Sequence, residues 1–195
     1  MIHEIKRTKG FVLSSYTHKE SDKIFFIFTK DFGLIRAQGI GIRKLESKLR
    51  YNLQNFYAVY LDLVRGREIW RVTHATRVLS VEKIIKNHAK FLFLNNFFRL
   101  IRRLIPEEEV NSKLFSHITE VYKMLSKENF SPNDIKDFEC VSVLRLLHHL
   151  GYIGGGIDMS IFVTSVLSKP ILAKVSSNRQ LLVSHINKSI KESHL

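Results

Sequence analysis

Four cations, Arg43, Lys44, Lys48 and Arg50, fall within eight consecutive positions, and Arg36, Lys23 and Lys9 lie upstream of them. Side chains of this type make and break no covalent bonds. They neutralise phosphates and release counterions, so a segment this dense in charge suits a phosphate backbone. Tyr16, Tyr51 and Tyr57 lie in the same part of the chain. Exposed aromatics stack on bases for about 1–3 kcal/mol each, although aromatics on strands more often belong to a core.

Catalytic alternatives find little support. His148 and His149 are adjacent on a helical pattern and diverge, and His117 with Glu120 one turn later lacks further ligands. No acidic cluster resembles a two-metal nuclease site. Gly39-Ile40-Gly41 and the triple glycine at 154–156 lack the Gly-Lys-Ser/Thr that a phosphate-binding loop needs. Asp22 beside Ser21 reads as turn chemistry. The single cysteine, Cys140, excludes an internal disulfide and a cysteine-rich zinc site. It sits in an apolar helical pattern, which predicts a buried, inert thiol. No catalytic residue, metal or cofactor is expected.

The cations must be positioned by short strands. Phe11, Leu13 and Ser15 alternate with Val12, Ser14 and Tyr16, and Ile24 to Phe28 is apolar throughout, as a strand in a small barrel should be. Asp31-Phe32-Gly33 supplies a turn. Leu34 to Ile42 reads as a third strand, with Gly39 and Gly41 permitting a bulge or bend. Ala58 to Val64 and Glu68 to Thr73 flank the hairpin signal Arg65-Gly66-Arg67. Five short strands with a break after the third predict an OB-type barrel.

From Ser80 the period becomes helical. Ile85, Ala89, Leu92, Phe93, Phe97, Leu100 and Leu104 mark one face of a long helix. Pro106 followed by Glu107, Glu108 and Glu109 reads as a helix start. Ser131 with Asp134 reads as a capping box, opening a helix that carries Ile135, Phe138, Val141, Leu144, Leu147 and Leu150 and stops at Gly151. A short helix spans Met159 to Leu167. A last one runs from about Asn178, burying Leu181, Leu182, His185, Ile186 and Ile190. The expected fold is therefore α+β: a five-stranded OB-type barrel over residues 1–79, then an all-α helical domain over residues 80–195. With no linker between them, the two should pack firmly together.

The 195 residues carry 31 Lys and Arg against 18 Asp and Glu, a net charge of +13. Such an excess attracts anionic polymers, nucleic acid foremost. Residues 1–80 hold 15 bases and 7 acids, the remaining 115 hold 16 and 11, so the barrel is the more basic unit. The opening residues lack the apolar core of a secretory signal, and no apolar run approaches the roughly 18–20 residues of a membrane span. A soluble intracellular protein is expected.

The stretch GFVLSSYTHKESDKIFFIFTKDFGLIRA resembles the opening of the RecO family of bacterial recombination and DNA-repair mediators. The matching residues are Glu20, Ser21, Asp22 and Lys23, then Thr29, Gly33, Leu34 and Arg36. A basic loop follows in the family, and here it reads Gly41, Ile42, Arg43, Lys44, then Ser47, Leu53, Gln54 and Phe56. LRLLHHLGY (Leu144 to Tyr152) resembles the family's Leu-Gly-Tyr helix end, and the C-terminal INKSIKESHL its last helix. No single motif is specific; their collinear order carries the resemblance. Two departures stand out. Many relatives carry a four-cysteine zinc module after Leu-Gly-Tyr, whereas this chain has Ile153-Gly154-Gly155-Gly156-Ile157, which reads as a short bridge. Ile40 and Glu46 stand where bases are common.

The resemblance implies a protein that binds single- and double-stranded DNA and anneals strands without catalysis. Its partners would be RecR and the C-terminal tail of single-strand-binding protein, helping to load the recombinase in the bacterial cytoplasm, at the nucleoid. Arg36, Arg43, Lys44, Lys48 and Arg50 are the leading candidates for phosphate contacts, with Lys23 and Lys9 behind them. One alternative is a protein–protein adaptor that docks RecR or the tail and binds little DNA. A metal-dependent nuclease is disfavoured by the missing carboxylates.

Overall fold

The computed structural model describes residues 4–79, 81–153 and 159–192; the triple glycine lies outside them. Strands β1 (Ile5–His18), β2 (Asp22–Thr29), β3 (Gly33–Gly39), β4 (Ala58–Arg65) and β5 (Trp70–Leu79) close into a barrel in the order β1-β2-β3-β5-β4. All pairings are antiparallel except β3 with β5, which close the barrel in parallel at Ala37–Trp70 and Gln38–Arg71. This is the expected five-stranded barrel followed by helices. The third strand ends at Gly39 rather than Ile42, and the fifth runs on to Leu79 rather than Thr73.

The continuous burial of Phe11, Val12 and Leu13 has a simple cause: both faces of β1 are covered. Successive side chains alternate across a strand. Val12, Phe25, Ile27, Ile35, Leu61 and Leu63 fill the barrel interior, while Phe11, Leu13, Phe28 and Leu34 point outward into a second core shared with the helices. That is why Ile24 to Phe28 carries no polar alternation.

The helices are α2 (Glu82–Ile85), α3 (His88–Leu104), α4 (Ser112–Lys127), α5 (Pro132–His149), α6 (Ser160–Thr164) and α7 (Lys169–Glu192), with a further single turn, α1 (Leu49–Asn52), between β3 and β4. The long helix expected from Ile85 is two helices. Asn87 restarts the chain, its side chain accepting from the Lys90 N–H at 3.1 Å. The buried face is consequently Phe93, Leu94, Phe97, Phe98, Ile101 and Leu104, and Ile85, Ala89 and Leu92 are exposed. Lys90 is buried on that face and donates to the Leu125 and Glu128 carbonyls at 2.8 and 2.6 Å. Its charge thus satisfies orphan carbonyls at the end of α4.

Pro106 does not open a helix. The Glu108 N–H donates to the Leu34 carbonyl at 2.8 Å, so this segment docks along β3. It comes close enough that a Cβ at Gly33, whose φ is +65°, would collide with the Glu109 carbonyl. Helix α4 starts instead at the Asn111 cap, which accepts from the Leu114 N–H at 2.9 Å. The capping box at Ser131 and Asp134 forms as expected, and Gly151 follows α5 with φ +78°. Helix α7 begins at Lys169 rather than near Asn178 because a proline is tolerated in a first turn. It packs against α5 through Leu182 and Ile186, leaving Leu181 exposed and His185 and Ile190 half-buried.

Buried Arg145 on α5 donates to the Phe162 and Ser165 carbonyls, both at 2.6 Å, which fixes α6. Cys140 is buried, and desolvation first of all pushes its thiol up to about 11. Across the shared core, Tyr122 of α4 donates its hydroxyl to the Phe56 carbonyl at 2.9 Å. Phe11 packs its ring between Phe115 and Tyr122, with centroids 5.4 and 5.5 Å away.

Candidate nucleic-acid interface

Residues 40–57 cross one end of the barrel. Ile42 and Leu53 plug into the barrel core, so the polar residues between them are held outward over its mouth. Two further ties fasten this loop to the β1–β2 turn. The Asp22 carboxylate accepts from the Gly41 N–H and the Gln38 amide, both at 2.8 Å. The Gly41 bond leads in holding the Asp22 carboxyl below its usual range. Arg43 donates its main-chain N–H to the Ser21 carbonyl at 2.9 Å and its guanidinium to the Glu20 carbonyl at 2.7 Å.

The result is a cavity of about 570 Å³ whose cationic lining is Lys23, Arg43 and Arg50. Its floor is apolar, with Phe25, Ile42 and Leu53, and Gln54 and Asn55 complete one side. The buried Asn55 Oδ1 has no hydrogen-bond partner. Among the described residues, the barrel's arginine ion pairs engage Arg7, Arg36, Arg65 and Arg77 and none of the cavity's cations. Cations without carboxylate partners are free to be neutralised by an external anion. An open, cation-lined hollow with an apolar floor can grip a phosphate and shelter a base beside it.

The sequence-derived candidates do not all meet there. Lys44 and Lys48 are exposed on the same loop but do not line the cavity. Arg36 lies on the outer face of β3 and pairs with Glu107 at 3.0 Å. Lys9 lies over the Tyr60 ring, 4.9 Å from its centroid, in a separate cleft with Lys30 and Lys123. The tyrosines scatter too: Tyr51 is exposed on α1, Tyr16 is exposed on β1, and Tyr57 is half-buried beneath Arg77. Among the described residues no group of three His, Cys, Asp or Glu could hold a metal ion. His117 is buried, donating from Nε2 to the Ser142 carbonyl at 3.0 Å. No helix among the described residues is long and apolar enough to cross a membrane.

Sequence reasoning gave Asp22 only a turn role and passed over Asn55. The spacing from Asp22 to Gly41 carries no local signal, because their contact is made by strand pairing.

A family model described as the N-terminal part of recombination protein O matches residues 1–80. The DNA repair protein RecO of Heliobacterium modesticaldum is 30% identical over 146 residues, covering 75% of this chain and 51% of that protein. Its counterpart in Caldanaerobacter subterraneus is 27% identical over 149 residues, covering 75% and 58%. That of Clostridium perfringens is 28% identical over 162 residues, covering 82% and 63%. The chain thus spans between half and under two thirds of the length of these curated relatives. The barrel order, the match across it and these relatives lead to one assignment: the chain belongs to the RecO family.

Proposed function

We propose that the protein is a DNA-repair and recombination mediator that binds DNA strands and anneals them without catalysis. On this reading, residues 1–79 are the nucleic-acid-binding unit and residues 80–195 the helical unit that meets protein partners. RecR and the acidic tail of single-strand-binding protein are those partners, and the recombinase is loaded in the bacterial cytoplasm. The observation that carries the reading is the convergence of Lys23, Arg43 and Arg50 at the barrel mouth with no carboxylate opposite them. Lys44 and Lys48 extend the same charge along the loop, whereas Arg36 and Lys9 lie on other faces of the barrel.

The test is a salt-titrated anisotropy measurement with a labelled single strand. Lys23→Gln with Arg50→Gln removes two charges whose side chains make no internal hydrogen bond among those described. Each lost phosphate contact lowers the salt slope by about 0.7 for single strands, so the pair should lower it by about 1.4. An unchanged slope refutes the barrel mouth as the site. One observation favours the adaptor alternative: Ile40 and Leu45 are exposed in the basic loop, at 48% and 77%. That alternative requires the parent protein to bind RecR or the tail peptide while hardly binding DNA even at low salt.

A further inference from the structure

Helix α3 throws three arginines outward. Its apolar face, Phe97, Phe98, Ile101 and Leu104, is buried in the shared core, so at 3.6 residues per turn Arg99, Arg102 and Arg103 emerge on the other side. Cations near a helix C-terminus are favourable on their own account, and a solvated face would need nothing more. Three features go beyond that.

Arg102 is fixed. Its guanidinium carbon lies 3.6 Å from the centroid of the Phe26 ring, and it donates to Ser14 Oγ at 3.1 Å. Arg99 and Arg103, four residues apart on one face, take no part in the arginine ion pairs among the described residues. They line a hollow of about 460 Å³ with Asn96, Leu100 and Arg102. Tyr16, 49% exposed, has its ring 6.1 Å from that of Phe26. Phe26 is thus flanked by Arg102 and by the exposed Tyr16 ring.

We propose that Arg99, Arg102 and Arg103 with Tyr16 form a second nucleic-acid-binding surface, which holds a single strand by its phosphates and stacks a base on the tyrosine. Basic grooves paired with accessible aromatics are how single strands are held without sequence preference. The position follows from strand alternation. Ser14 and Tyr16 face α3, whereas Ser15 between them lines the barrel-mouth cavity. The two surfaces therefore lie on opposite sides of the β1–β2 hairpin, and a strand passing over the hairpin meets both. This inference rests on the reading of the protein as a DNA binder.

The test compares the full chain with three variants by anisotropy on labelled oligothymidylate across a salt series, with circular dichroism confirming the fold. Arg99→Gln with Arg103→Gln should lower the salt slope by about 1.4, from about 0.7 per phosphate. Arg99→Lys with Arg103→Lys should keep the parental slope. Tyr16→Ser should weaken binding about tenfold with the slope unchanged, as loss of one stacked base requires. A glutamine pair with the parental slope overturns the proposal even if Lys23→Gln with Arg50→Gln lowers it, and the barrel-mouth site then stands alone. A parent protein that does not bind the oligonucleotide overturns both.

Discussion

Replacing Phe11 with alanine removes a ring that faces out of the barrel into the helices. It is 2% exposed, and its centroid lies 5.4 Å from Phe115, 5.5 Å from Tyr122 and 6.3 Å from Phe98. Three rings on α3 and α4 would lose their shared neighbour, and well-packed helices cannot close the gap. Truncations of this kind cost about 3–5 kcal/mol, a large part of the roughly 5–15 kcal/mol that holds a native chain together. With a urea slope of about 1–3 kcal/mol per molar, the midpoint should fall by about 2 M. The molecule offers two separate reporters. Trp70, the single tryptophan, packs in the barrel core, and the far-ultraviolet dichroism at helical wavelengths reads α3 to α7. Because one core is shared, both transitions should move down together. A helical transition that falls while Trp70 fluorescence keeps its midpoint would refute the shared core and make the two halves independent.

Two other perturbations have outcomes that follow from the geometry. Burial, above all other influences, holds the His117 imidazole down to about 4 from its ordinary 6.5. Between those values the unfolded chain binds a proton that the folded one refuses, so stability should fall as pH drops from 6.5 towards 4 and level off below. His117→Gln should flatten that decline in urea melts taken across the window; an equally steep decline would exonerate the histidine. Asp22→Ala deletes an acid from a basic rim, which on charge alone should tighten DNA binding. It also cuts the carboxylate's bonds to Gly41 of the loop and to Gln38 of β3, and the expected result is weaker binding, read by anisotropy at fixed salt. Tighter binding would show that the anchor does not matter.

Local chemistry made much of this molecule legible in the one-dimensional string. The turn at Asp31 to Gly33, the Ser131 capping box and the stop at Gly151 each depend on neighbours within a few positions. The barrel was readable because its strands are short, β-rich and broken by glycines. Errors arose where a residue's partner lies far along the chain. Glu107 and Glu108 look like the acidic first turn of a helix, yet they serve Arg36 and Arg65 on the barrel. Leu92 looks like core, yet the Asn87 cap shifts the phase of α3 and leaves it exposed.

The candidate site divides in the same way. Composition and the order of residues were enough to establish a basic N-terminal half, a strand-then-helix architecture and the RecO family. Which cations lie together was decided in three dimensions. Lys23 and Arg50 are far apart in sequence and share one cavity, whereas Arg36 and Arg43, close in sequence, face different sides. The reason is physical: strand alternation and barrel closure set the direction of every side chain, and ion pairing then removes some charges and leaves others open.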